Sequence, residues 1–102
     1  MIRSFKDQGA EDVFNGVDSK AARKVCAQTA IKAARRRLVA LEAAKTLEDL
    51  KSPGYSLEKL EKLEKLEKDR KGQHAIRINE QYRVCFFWVE QGAEQVEVTD
   101  YH

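Results

Sequence analysis

Two hydrophobic patterns in the last third of the chain constrain its fold more than any other feature. The segment 82–89 is nearly continuous in aromatic, branched and apolar residues, which is typical of a central strand covered on both faces. The segments 74–78 and 95–101 instead alternate between apolar and polar residues, as strands with one covered face do. Short polar stretches at 79–81 and 91–92 separate them. The pattern predicts three antiparallel strands joined by tight turns.

The first half of the chain carries helical signals. Ile31, Ala34, Leu38 and Leu41 recur at steps of three and four, as on one face of a helix. Ser19 is a suitable amino-terminal cap. Residues 20–44 therefore predict one helix or two in close succession, paired as a hairpin against the sheet. Because helices precede strands, we expect an α+β fold with the helices on one face of the sheet, in a single domain spanning 1–102.

Shorter signals surround these helices. The opening stretch 1–5 alternates and predicts a short strand, which Gly9 is expected to break. Residues 11–14 predict one turn of helix. Residues 46–50 resemble a short capped turn that ends at Ser52, Pro53 and Gly54.

A triplet repeat fills residues 57–68, where Leu-Glu-Lys occurs four times without a fault. All three residue types favour helix, and each Glu precedes a Lys at i+4, as Glu58 precedes Lys62. Twelve residues make about three turns of an α-helix, so we expect a helix of that length. Two interpretations of this helix stay open. It could be a solvated repeat that has expanded in copy number, or it could add a surface for contact with another chain.

The charge balance is asymmetric. Residues 1–51 carry 11 Lys and Arg against 7 Asp and Glu, whereas residues 52–102 carry 8 against 10. A basic first half suggests a surface that meets an anion, either phosphate or an acidic protein, although the same cations can simply solvate a helix. Residues 20–44 are therefore the expected contact for an acidic protein partner.

The cysteines and the hydropathy exclude several classes of protein. Cys26 and Cys85 have no partners at metal-ligand spacing, and with only His74 and His102 in the chain neither a metal site nor another cofactor is expected. Both cysteines are expected to be reduced and buried in a cytoplasmic protein. No stretch approaches the roughly 20 apolar residues of a membrane span, and no secretion signal opens the chain.

One group of residues in the second half suggests chemistry on an anion. Arg77 and Arg83 fall on neighbouring strands, and Asp100, Tyr101 and His102 end the last strand. An arginine in a largely apolar strand is costly unless it meets an anion. Cations, an aromatic ring and an imidazole together suit cleavage of an RNA phosphodiester.

Structural interpretations of the same residues stay open at this point. Arg83 is equally suited to a cross-sheet ion pair with Glu97 or Asp100. Tyr101 could serve in packing, and His102 could belong to a frayed end of the chain.

Several segments resemble the HigB toxins, also described as plasmid-maintenance killer proteins. The residues that carry the resemblance are 1–5, 19–24, 69–79, 81–86 and 96–102. The block Asp-Arg-Lys-Gly-Gln at 69–73, joined to the ending Asp-Tyr-His, is its most specific part. The resemblance spans nearly the whole chain except the triplet repeat.

The resemblance implies a toxin of a type II toxin–antitoxin system with a RelE-like fold, in which a twisted antiparallel sheet packs on two amino-terminal helices. Such toxins cleave messenger RNA on the ribosome without a metal. Helix-turn-helix antitoxins of the HigA type neutralise them, and the complex binds its own operator DNA.

Residue roles follow by position from the same resemblance. Arg83 is expected to hold the scissile phosphate, with His102 as acid or base, Tyr101 stacking on a base and Asp100 in the same terminal group. Contacts to the RNA backbone are expected from four further cations, Arg70, Lys71, Arg77 and Lys68.

One departure from the family bears on activity. Family members commonly read Leu-Lys-Gly-Asp-Arg where this chain reads Leu-Glu-Lys-Asp-Arg at 66–70. Lys68 replaces the missing lysine only if the backbone shifts by one residue, which in a strand reverses the face. Two alternatives to the nuclease therefore remain: a ParE-like poison that binds DNA gyrase without catalysis, and an inactive variant that only binds an antitoxin.

Overall fold

A computed structural model describes residues 1–51, 58–59 and 72–100 of the chain. Three helices come first, α1 (Gln8–Asn15), α2 (Lys20–Val25) and α3 (Ile31–Ala43). Short 3-10 turns at Gln28–Ala30 and Leu47–Leu50 flank α3. The strands follow as β1 (Glu58–Lys59), β2 (His74–Arg77), β3 (Tyr82–Val89) and β4 (Gly92–Asp100). The predicted order of helices and then strands is confirmed.

The strands form one antiparallel sheet in the order β1-β2-β3-β4. The predicted central strand is β3, whose residues Val84, Cys85 and Phe86 have no exposed surface. Two tight turns set the register. Asn79 Oδ1 accepts from the backbone N–H groups of Gln81 and Tyr82, both at 2.8 Å, which closes the first turn.

The second hairpin contains an irregularity that the sequence did not predict. Glu90 and Gln91 adopt positive φ angles of 47° and 68°, the left-handed pair that a two-residue hairpin requires. Gln95 is also left-handed, with φ of 53°. Near Gln95 the register between β3 and β4 shifts, at the point between Cys85 and Phe87 of β3. β4 starts at Gly92, whereas the alternation in the sequence predicted a strand that begins at Gln95.

One hydrophobic core joins the helices to the sheet. Its buried residues come from α3 at Ala34, Leu38 and Leu41 and from the sheet at Ile76, Val84, Phe86 and Val98, among others. The predicted apolar face of α3 is thus confirmed. The N–H of Ala27 donates to the Tyr82 hydroxyl at 3.1 Å, which ties the segment between α2 and α3 to β3.

The prediction that Gly9 ends the opening extended stretch is wrong, because that stretch pairs only as far as Phe5 and Gly9 lies inside α1. A Cβ built at Gly9 would lie 2.6 Å from the carbonyl oxygen of Ala21 and 2.7 Å from Val25 Cγ1. The absence of a side chain lets α1 and α2 approach closely. The single turn of helix expected at 11–14 is therefore part of a longer helix.

Ser19 caps α2 as predicted, since its Oγ accepts from the N–H of Ala22 at 3.0 Å. The same hydroxyl donates to Asp12 Oδ2 at 2.6 Å, so the cap also joins α2 to α1. Thr46 and Asp49 form the reciprocal capping box expected around the turn Leu47–Leu50.

The opening stretch pairs with the last strand rather than forming a strand of its own. Ile2 bridges Ala93 and Phe5 bridges Val96, both in parallel orientation. The alternation at 1–5 thus indicated extended backbone correctly, and these residues line the outer edge of β4.

Within the triplet repeat the structure describes only Glu58 and Lys59, and the prediction of a helix is wrong for these two residues. They form β1 and pair with Ala75 and His74 of β2. An open strand edge offers unpaired N–H and C=O groups, which outweigh a helix propensity of a few tenths of a kcal/mol per residue. The remaining repeat residues, and the expected turn end at 52–54, lie outside the described residues.

Candidate functional site

The described part of the candidate site is a row of side chains across three strands. Arg83 stands opposite Arg77 on β2 and opposite Thr99 on β4. The adjacent row, Ile76, Val84 and Val98, packs into the core with the helices. Because successive side chains alternate between faces, Arg77, Arg83 and Thr99 share the face that points away from the helices. We call these three residues the arginine row.

The Arg83 guanidinium lies over the turn that joins β2 to β3. Its Nη1 donates to the carbonyl oxygens of Asn79 and Tyr82, the latter at 3.1 Å. Arg77 Nη2 lies 3.9 Å from Glu80 Oε1 on the same turn. Two like charges directly opposed on neighbouring strands destabilise a sheet. Such a pair is suited to binding a shared anion.

The arginine row is partly open, whereas the sheet beside it is covered. Arg77, Arg83 and Thr99 are of intermediate exposure. On the same face, Ala75 and Cys85 are wholly buried and Glu97 is 6% exposed. β3 is thus covered on both faces near its middle, as predicted, and opens to solvent where the arginines lie.

Asp100 lies on a different face from Arg83. It stands opposite Tyr82, whose hydroxyl accepts from Ala27 on the helix side of the sheet. Asp100 Oδ2 accepts from Gln81 Nε2 at 2.9 Å. The structure therefore brings Arg77 and Arg83 together and sets Asp100 at the end of β4 on the opposite face.

The other sequence-predicted site residues lie outside the described residues. These are Lys68, Arg70, Lys71, Tyr101 and His102. Their expected roles stay predictions. Among the residues that the structure describes, His, Cys, Asp and Glu side chains form no group of three or more suited to a metal ion.

The sequence analysis considered Glu97 only as an ion-pair partner of Arg83, and three features near the arginine row were not predicted. Thr99 completes the row. Glu97, one row further along β4, is buried and pairs with Lys6 Nζ at 3.4 Å. Arg37 Nε reaches from α3 to the carbonyl oxygen of Arg77 at 2.8 Å. The alternation of 95–101 could have placed Glu97 and Thr99 on one face, but no sequence signal indicated the Arg37 contact.

Burial and hydrogen bonding shift the pKa of three groups in the helical half. Hydrogen bonds from the backbone N–H groups of Lys45 and then Thr46 lower the pKa of the Asp49 carboxyl. Burial raises the pKa of the Cys26 thiol to about 11. Hydrogen bonds from Ser19 and then Gln8 lower the pKa of Asp12, against the effect of burial.

Comparison with solved structures identifies the class of fold. A chain of the "YoeB-YefM complex from Staphylococcus aureus" superposes with a TM-score of 0.56, covering 100% of this chain and 98% of that one at 13% identity. A search of curated proteins finds no match. No helix in the part of the chain that the structure describes is long and apolar enough to cross a membrane. The likeness shows the α+β fold, with helices packed on an antiparallel sheet.

A family model narrows the class. Residues 3–102 match the model described as "RelE-like toxin of type II toxin-antitoxin system HigB". The chain belongs to this HigB-like toxin family.

Proposed function

We propose that the protein is a ribosome-dependent endoribonuclease that cleaves messenger RNA, acts in the cytoplasm and is neutralised by a HigA-type antitoxin. The observation that carries this proposal is the arginine row, where Arg77 and Arg83 are directly opposed on the open part of the sheet. Family membership supports a toxin. The S. aureus neighbour is, by its title, a chain from the YoeB-YefM complex, which favours a protein partner.

The reaction requires three roles. A base removes the proton of the ribose 2′-hydroxyl, cations stabilise the charge that develops on the phosphorus oxygens, and an acid protonates the leaving 5′-oxygen. Arg83 is suited to the second role, because its planar guanidinium can donate two parallel hydrogen bonds to a phosphate. Arg77, beside it, is suited to an adjoining backbone phosphate.

The acid and base roles are assigned to the end of the chain by resemblance. His102 is our candidate acid or base, because an imidazole can accept or donate a proton, while Tyr101 can stack on an unstacked base. Arg70, Lys71 and Lys68 are proposed as further phosphate contacts. None of these roles requires a metal. The antitoxin complex, rather than the toxin alone, is proposed to bind operator DNA.

The test is induced expression followed by mapping of transcript ends. Wild-type protein should arrest growth and leave breaks at particular codons. Arg83→Ala should relieve the arrest, and His102→Gln should do the same. Arg23→Ala is the matched control, because Arg23 pairs with Asp18 on the exposed side of α2 at 2.8 Å. In vitro, cleavage should require ribosomes and persist in a metal chelator.

Other outcomes would contradict the proposal. DNA damage without transcript cleavage would favour a gyrase-binding poison. Absence of toxicity would favour an inactive, antitoxin-binding variant. Undiminished killing by both Arg83→Ala and His102→Gln would remove the assigned phosphate site.

A further inference from the structure

One side chain closes the turn between β2 and β3, residues 79–81. Asn79 Oδ1 accepts from the backbone N–H groups of Gln81 and Tyr82, both at 2.8 Å. In this arrangement an Asn side chain takes the place of a backbone acceptor. The Tyr82 carbonyl oxygen accepts in return from the N–H groups of Ile78 and Asn79, at 3.0 Å and 3.3 Å. Because Asn79 is exposed, its side chain contributes the shape of the turn rather than packing in the core.

The orientation of Arg83 depends on this turn. Its Nη1 donates to the carbonyl oxygens of Asn79 and Tyr82, the latter at 3.1 Å. A planar guanidinium held at one nitrogen by two acceptors cannot rotate without breaking a charge-assisted hydrogen bond. One acceptor belongs to Asn79 itself, and the other belongs to a residue whose N–H the Asn79 side chain binds. A change in the turn therefore moves the charge of Arg83.

The same turn also restrains a residue on the helix side of the sheet. Gln81 Nε2 donates to Asp100 Oδ2 at 2.9 Å, and Asn79 Oδ1 binds the backbone N–H of Gln81. Asp100 is two positions before His102 in the sequence. The turn thus restrains two residues of the candidate site, one on each face.

Arg83 needs such a restraint because of its neighbour. Arg77 stands directly opposite on β2, and like charges in that position repel. The contact of Arg77 with Glu80 spans 3.9 Å, and the Glu80 side chain is 94% exposed, so this ion pair holds Arg77 only weakly. The carbonyl oxygens of the turn therefore supply the firmer restraint, and it acts on Arg83.

We propose that Asn79 is a positioning residue of the candidate site, which closes the turn and thereby aims the Arg83 guanidinium at a phosphate of the RNA. Asn79 acts through Arg83 and needs no contact with RNA of its own. A misplacement of about 1 Å in a catalytic group can lower a rate about 100-fold. This inference rests on the proposed function, because Arg83 is the phosphate-binding residue of that proposal.

The first part of the test measures the orientation of Arg83 without any activity. In nitrogen NMR spectra of the labelled full chain, a guanidinium that does not rotate gives separate Nη1 and Nη2 signals. The signals of Arg83 are identified by their loss in Arg83→Lys. They should be separate in the wild type, merge in Asn79→Ala, and stay separate in Asn79→Ser, because a Ser hydroxyl can also accept from the turn N–H groups, more weakly.

The second part measures cleavage of messenger RNA on ribosomes in single turnovers. Asn79→Ala should lower the rate about tenfold or more, and Asn79→Ser should lie between Asn79→Ala and the wild type. Ser19→Ala is the matched control, because it also removes two hydrogen bonds and no charge, at a helix cap away from the arginine row. It should leave the rate within about twofold and the Arg83 signals separate. Circular dichroism confirms that each variant is folded.

Three outcomes would overturn the inference. One is a merged Arg83 signal in the wild type, and another is separate signals in Asn79→Ala. The third is an unchanged cleavage rate in Asn79→Ala when Arg83→Ala lowers that rate. The two proposals fail separately: a wild-type chain that cleaves no RNA but shows the expected Arg83 signals contradicts only the proposed function, and a chain that cleaves RNA without them contradicts only this inference.

Discussion

Arg37 on α3 donates from its Nε to the carbonyl oxygen of Arg77 at 2.8 Å, so one arginine of the basic helix holds the backbone of an arginine in the candidate site. Arg37→Met keeps most of the aliphatic stem and removes the donor. We expect a loss of about 1–3 kcal/mol in the free energy of unfolding, because the bond is partly buried and charge-assisted. Urea unfolding of the variant and the wild type measures this difference in the free energy of unfolding. Arg36→Met, at an exposed neighbour, should stay within about 0.5 kcal/mol; equal losses would contradict a specific role for Arg37.

Gly9 offers a test in which two effects have opposite signs. Helix propensity alone predicts that Gly9→Ala stabilises the protein by about 1 kcal/mol. The added Cβ would instead lie 2.6 Å from the Ala21 carbonyl oxygen, and overpacking of this kind costs about 1–3 kcal/mol. We expect net destabilisation in urea unfolding. A gain in stability would show that α1 and α2 separate easily at this contact.

The carboxyl of Asp12 should make folding sensitive to acid. Hydrogen bonds from Ser19 and Gln8 lower its pKa in the folded state below the ordinary value of 3.8. The stabilisation is therefore complete above that value and is lost as the pH falls through the lower, folded-state pKa. Asp12→Asn should show a smaller drop in the free energy of unfolding between pH 7 and pH 3 than the wild type.

The control for Asp12 is Glu11→Gln, which removes one exposed carboxyl from the same helix. Identical pH profiles for wild type and Asp12→Asn would mean that the hydrogen bonds to Asp12 do not favour its ionised form.

Cys26 should resist alkylation while the protein is folded. Its pKa rises to about 11 from 9.0 because the thiol is buried, which lowers the thiolate fraction near pH 8 about 100-fold, and the thiolate is the reactive form. Iodoacetamide labelling followed by peptide mass spectrometry measures the rate at which Cys26 is alkylated, with urea-unfolded protein as the control. Rapid labelling of Cys26 in native protein would place it at an accessible site.

The elements predicted best from sequence are those in which local pattern and tertiary packing agree. The apolar run at 82–89 became the central strand, and Ser19 and Thr46 became caps. Gly9 was misread because its role depends on Ala21 and Val25, which lie more than ten residues away in sequence. A glycine that permits helix contact looks, in a sequence, like one that ends the strand before it.

The candidate site was predictable only in part. Arg77 and Arg83 fall on adjacent strands of one hairpin, and a short turn fixes their register, so their proximity follows from sequence. The face of Asp100 could also have been predicted, because alternation from Val96 through Val98 puts Asp100 on their face and Thr99 on the other. What the sequence did not indicate is the left-handed Gln95 and the shift in pairing beside it, which change how the first residues of β4 are matched to β3.

The bridges of Ile2 to Ala93 and of Phe5 to Val96 also limit how another chain can join this sheet. The backbone of β4 is already engaged by residues 1–6 from Ala93 to Val96. At the β4 edge an incoming strand would have to displace that segment or be confined to the last few residues of β4. Strand addition at this edge is therefore disfavoured relative to side-chain docking on the helices, which meets no such barrier.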